Sequence, residues 1–172
     1  MSLSFGSSGF YFNLPLGIKE GVDLTLEKGV NSMETRRLYW LKMLRWGALV
    51  VLVTGLLPSL AVSASFQEPW RLFFDVLAWP KDGYPSGFSS SDRQLSAVLG
   101  GVLCGWAWLI FRLAQPGVFT PDIRKILVQS TWVWFVLDSG GSIFARLPLN
   151  AISNLFFLAI LILPLSRLKN IS

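Results

Sequence analysis

The sequence predicts an all-α membrane protein: a bundle of four transmembrane helices with a short interfacial amphipathic helix between the first and second. Three observations carry this expectation. Four apolar stretches, at about 46–66, 94–113, 122–145 and 148–166, are interrupted by little charge. Each is close to the roughly 20 residues that a helix rising ~1.5 Å per residue needs to cross a hydrocarbon core. Apolar residues make up 52% of the 172 and charged residues only 15%, where soluble domains carry about 25% charged residues. That is too little charge to face water on all sides. The basic residues, finally, gather in alternate loops, as a membrane topology requires.

Residues 1–32 are expected as a polar N-terminal arm and 33–172 as the membrane domain. Met1 and Met33 are both candidate starts, and the sequence leaves the choice open. The stretch Glu34–Leu44 carries Arg36, Arg37 and Lys42, with Arg45 just beyond, and leads into the first apolar run. These cations, the apolar Leu49–Leu57 and the small residues Val62, Ser63 and Ala64 also have the order of a secretory signal. Their depth in the chain and the length of the run favour a retained span. Pro58 lies inside that run, where neighbouring helices can re-satisfy the carbonyl it frees.

Trp70, Phe73, Phe74, Leu77 and Ala78 fall at helical i, i+3, i+4, i+7, i+8 spacing, with Arg71 and Asp75 off that face. This predicts the interfacial helix, over about 69–79, anchored by Trp70, Phe73, Phe74 and Trp79. Pro80 ends it, and Lys81–Pro85 is a turn-rich loop. Ser91 with Gln94 forms the pattern of a capping box ahead of the second span. Thr120, Pro121 and Asp122 supply an N-cap, a first-position proline and a first-turn acid for the third. The last span opens at Pro148 and closes near Pro164.

Eleven basic residues fall on one side of this topology: Lys19, Lys28, Arg36, Arg37, Lys42, Arg45, Arg112, Arg124, Lys125, Arg167 and Lys169. Four fall on the other: Arg71, Lys81, Arg93 and Arg146. The positive-inside rule then places both termini on the cytoplasmic side of a bacterial inner membrane or its thylakoid or organellar equivalent. The same distribution explains the net charge of +5 without nucleic acid as a partner.

Candidate functional residues are few. The chain has no His, which removes the commonest general base and a frequent metal ligand. Its one cysteine, Cys104, falls in mid-span and reads as a small packing residue. Ala97, Gly101 and Gly105 form a small-residue ladder on the second span, suited to close helix packing within the bundle or against a partner. Asp138 is the one acid well inside a span and lies toward its far end, within reach of Arg71, Arg93 or Arg146. Asn150 and Asn154 share a helix face. Together with Asp138 and Ser142 they outline a polar pocket able to hold water, a lipid head group or the polar end of a cofactor. Trp106, Trp108, Trp132 and Trp134 offer flat apolar surface for packing or for a pigment. No catalytic constellation, metal-ligand spacing or phosphate loop is present in the sequence.

The segments Asp75–Pro80 with Asp82-Gly83, Leu95–Gly101 and Trp134–Ser142 resemble a family of small bacterial four-helix inner-membrane proteins with no assigned activity. The resemblance covers about half the chain. It implies the four-helix fold and a bacterial or organellar origin, and it carries over no cofactor and no residue role.

These readings converge on a non-catalytic membrane protein, an accessory or assembly subunit of a larger photosynthetic or respiratory type of complex. Membrane lipid and other membrane subunits are its expected partners; the sequence specifies no cofactor, a pigment or lipid being compatible with it but not strongly implied. The alternative is a small oligomeric channel or carrier whose path is lined by Asp138, Asn150 and Asn154. A membrane enzyme acting on lipid head groups has less support, because only one acid lies inside the spans.

Overall fold

The order of helices follows from where prolines, capping residues and apolar runs fall along the chain. The computed structural model describes residues 16–77 and 89–169. Residues 1–15 of the expected arm, and Trp79, Pro80 and the Lys81–Pro85 turn, lie outside them. Five α-helices are present: α1 (Leu16–Leu60), α2 (Gln67–Leu77), α3 (Ser90–Leu113), α4 (Pro121–Phe144) and α5 (Pro148–Leu168). A short 3₁₀ turn at Ala64–Phe66 leads into α2, and no strand occurs among the described residues.

The chain divides into two units, Met1–Thr35 and Arg36–Ser172. In the first, α1 already begins at Leu16, directly after Pro15, so the described part of the polar arm is helical. There Ser32 Oγ donates to the Gly29 carbonyl and Thr35 Oγ1 to the Asn31 carbonyl.

The second unit holds the core. Leu41, Leu44, Ala48 and Val51 of α1 pack with Ala107 and Ile110 of α3, Leu127 of α4, and Leu161, Leu165 and Leu168 of α5. α1, α3 and α5 contribute at three- and four-residue steps, the period of a helix with one packed seam. The opposite faces are also apolar. Val53, Leu95, Val102, Leu109, Val133, Leu137, Ile143 and Phe144 are all more than half exposed. A soluble monomer rarely leaves so much contiguous apolar surface open, whereas lipid is a good solvent for it.

Three helical segments, Gly29–Leu60, Ser90–Leu113 and Pro148–Leu168, are long and apolar enough to cross a membrane. They mark the chain as an integral membrane protein. α4 equals α3 at 24 residues but is not among these three segments. Gln129, Ser130, Thr131, Asp138, Ser139, Gly140, Gly141 and Ser142 all lie within it.

Several boundaries differ from the sequence reading. The first span's helix stops at Leu60 rather than Phe66, two residues beyond Pro58. The capping box sits two residues earlier than Ser91 and Gln94. Ser89 is the N-cap, its Oγ accepts from the Asp92 amide, and Asp92 returns the bond to the Ser89 amide at 2.9 Å. A carboxylate at the third helical position satisfies that donor with charge assistance and complements the positive end of the helix dipole. Pro164 does not close α5, which continues to Leu168. Proline removes the bond to the Ile160 carbonyl. That carbonyl instead faces Gly47 of α1, where an added Cβ would lie 2.9 Å from its oxygen.

Thr120 caps α4 as expected, its Oγ1 accepting from the Ile123 amide, with Pro121 first in the helix. At the other end α4 closes in a Schellman motif: the Leu147 amide bonds the Ser142 carbonyl and the Arg146 amide the Ile143 carbonyl. Arg146 takes the left-handed conformation this requires, with φ 61°. The three-residue turn folds α5 back on α4 as a helical hairpin.

Candidate functional site

Two seams build the site. On α3, Ser96, Gly100 and Cys104 recur at four-residue spacing; Gly100 and Cys104 face α1, and Ser96 faces Trp70 of α2. A Cβ on Gly100 would meet the Ser59 amide nitrogen at 2.5 Å and the Gly55 carbonyl at 2.6 Å, and one on Gly55 would meet Leu103 Cβ at 2.8 Å. The backbones of α1 and α3 therefore touch where a side chain would force them apart, and Cys104 Sγ lies 3.6 Å from the Leu52 carbonyl. The expected ladder is displaced from this seam by one residue. Gly101 and Gly105 meet nothing within 4 Å, and Ala97 is half-buried.

The second seam joins α4 to α5 through polar side chains. Asn150 Nδ2 donates to Ser142 Oγ at 2.6 Å and to Asp138 Oδ1 at 3.4 Å. Asn154, 3% exposed, donates to Ser139 Oγ at 3.2 Å. Ser142 Oγ itself donates a hydrogen bond to the Asp138 backbone carbonyl. The predicted group of Asp138, Ser142, Asn150 and Asn154 is thus assembled on two adjacent helices. Ser139 belongs to it as well, one residue after Asp138 on the face that meets Asn154. Asp138 makes no ion pair with a described cation: Arg71 is taken by Glu68 at 2.7 Å, which raises the guanidinium's pKa through that hydrogen bond.

Between the two seams lies a cavity of about 530 Å³, within the range of sites for small organic molecules. Val51 and Thr54 of α1 form part of its wall, with Leu99, Leu103 and Trp106 of α3 and Trp134 and Leu137 of α4. Asp138, Asn150, Ser153 and Asn154 form its polar end. Trp106 and Trp134 stand side by side, ring centroids 5.5 Å apart and tilted by 39°.

Helix α2 contributes the remaining wall, and here the expected lipid anchors behave differently from one another. Trp70 is 4% exposed, and its Nε1 donates to Ser96 Oγ at 3.1 Å. It stacks on Phe73, with 5.3 Å between centroids, and both rings line the cavity with Leu77. The outward side of α2 presents Leu72 and Val76 instead. The side chain of Phe74 and all of Trp79 lie outside the described residues. The other two tryptophans singled out earlier face outward: Trp108 stacks on Phe111, and Trp132 meets Phe135 edge-on.

Chemically, the site is an apolar chamber closed at one end by a carboxyl group and two carboxamides. No group of three His, Cys, Asp or Glu capable of holding a metal occurs among the described residues. The class defined by fold and site is an integral membrane helical bundle with an amphiphilic cavity that opens to the outer surface beside Val102 and Leu137. Comparison with known protein families, with characterised proteins and with solved structures gives no match.

Proposed function

We propose that this protein is a non-catalytic accessory component of a membrane complex, which holds one molecule of an amphiphile inside its own bundle. The observation that carries the reading is the cavity. Twelve of its seventeen lining residues are apolar, and four of the five polar ones gather on α4 and α5. Such a chamber suits a molecule with an apolar body and one polar end. A continuous polar path, as a channel needs, would place hydrogen-bonding groups along its length rather than at one end.

The reading includes four spans. α4 is not among the three most apolar segments, but its buried residues include Thr131, Ser139 and Ser142 while Ile126, Val133, Val136, Ile143 and Phe144 point outward. Its polarity is turned inward and its lipid-facing side is as apolar as that of its neighbours. Both termini then share the positively biased side, and α2 lies at the opposite interface. The accessory role draws support from α3, where Gly101 and Gly105 leave an open small-residue strip of the kind that admits another helix closely.

Purification of the full chain in mild detergent, followed by native mass spectrometry and an absorbance spectrum, tests the reading. One retained amphiphile per chain is expected, absent from Val51→Phe, which fills the cavity. A bare chain in both proteins would refute ligand holding. On native gels, migration at the mass of the monomer plus detergent, with no companion subunit, would refute the accessory role.

A further inference from the structure

The polar end of the cavity has spent its donors and kept its acceptors. Both Nδ2 protons of Asn150 are engaged, by Ser142 and Asp138. Those of Asn154 face Ser139 and the Asp138 carboxyl. Ser153 Oγ donates to the Asn150 carbonyl at 2.8 Å. Thr54, on the α1 wall, likewise donates to the Val50 carbonyl. Among these cavity-lining residues, the bonds made leave acceptors over: the Asp138 carboxylate and the two amide oxygens. A carboxylate offers about four lone-pair sites, and only neutral amides approach this one. A charge taken out of water without a counter-charge is costly unless something pairs with it, and no described Arg or Lys forms an ion pair with Asp138.

We infer that the cavity takes an amphiphile with a protonated amine head, the ammonium lying among Asp138, Asn150 and Asn154 and the apolar body running along Trp106 and Trp134. An ammonium has three donors and no acceptor, the complement of what the protein leaves open. Its charge compensates Asp138 through the stronger, charge-assisted kind of hydrogen bond. The neighbouring aromatic faces attract a cation rather than an anion. A carboxylate head would repel Asp138, and a hydroxyl would supply one donor and no charge. The inference rests on the ligand-holding reading above and specifies the head group.

The test is a competition on the full chain in mild detergent at neutral pH, with equimolar dodecylamine, dodecanol and dodecanoate, read by native mass spectrometry. The expected result is one amine adduct per chain, favoured by about ten-fold or more over the other two, as one charge-assisted contact implies. Asp138→Asn should level the three, and Val51→Phe should abolish the adduct. Equal binding of the three probes by the unmodified protein, or a preference for alcohol or carboxylate, would overturn the head-group inference while leaving a ligand-holding cavity. An amine adduct that survives Val51→Phe would place it on the surface and overturn the inference too. Absence of every adduct, together with no co-purifying amphiphile, would bring down both readings. The order among the three heads on the unmodified chain decides the matter even where Asp138→Asn does not fold.

Discussion

The α1·α3 seam and the α4·α5 seam solve the same problem by different means. In lipid, apolar side chains gain little by leaving the solvent, so helices associate through close packing and interhelical hydrogen bonds. Across α1 and α3 the chain uses closeness: Gly55 and Gly100 let the backbones touch, with Ser59 and Cys104 filling the remaining space. Across α4 and α5 it uses polarity: Asn150 and Asn154 reach into the Asp138–Ser142 stretch. The first seam resists volume, while the second requires matched donors and acceptors. The cavity lies where these two unlike seams face each other, and it inherits an apolar wall from one and a polar end from the other.

Substitutions that target one seam at a time sharpen the contrast. Gly100→Leu should have the largest effect, about 3 kcal/mol or more, because even a Cβ there meets backbone. Denaturant unfolding in detergent would measure it. Gly101→Leu, one residue further on, should change the stability of the single chain by less than about 0.5 kcal/mol. A similar loss at both positions would mean that the two faces are not distinct. Asn154→Leu should cost about 0.6 to 1.7 kcal/mol, the range for interhelical hydrogen bonds in membranes. In a double-mutant cycle with Ser139→Ala, most of that loss should appear as coupling, and strict additivity would deny the pair. Ser89→Ala removes the α3 cap and should cost about 1 kcal/mol, with faster amide exchange confined to the first turn. Arg146→Gly should gain about 0.5 kcal/mol by relieving the left-handed backbone; a loss in unfolding free energy would show that the arginine side chain contributes more than its strain.

How much of this was legible in the sequence depended on whether a signal needed a partner. Long apolar runs identify themselves, and so does the Thr120–Pro121 helix start, because the signal is local. The members of the polar pocket were legible too, since one acid inside a span and two asparagines on one helix face are rare in apolar surroundings. Registers set by a second helix were not. α3 carries two ladders, Ser96–Gly100–Cys104 and Ala97–Gly101–Gly105, and the helix period favours neither. Only the position of α1 decides which one is packed. Trp70 has the composition of a lipid anchor, and its inward direction depends on Ser96 being within reach. The capping box slipped because Ser89, Ser90 and Ser91 are equivalent by type, and the neighbouring Asp92 selects the first of them. Pro164 read as a stop, although the carbonyl it frees finds its place beside Gly47.

The account rests on the cavity between the seams being occupied. A density map of the full chain in lipid nanodiscs tests this most directly. The prediction is a single elongated feature between Trp106 and Trp134, ending within hydrogen-bonding distance of the Asp138 carboxylate. A collapsed chamber with Val51 and Phe157 in contact, or one filled only by water, would contradict it.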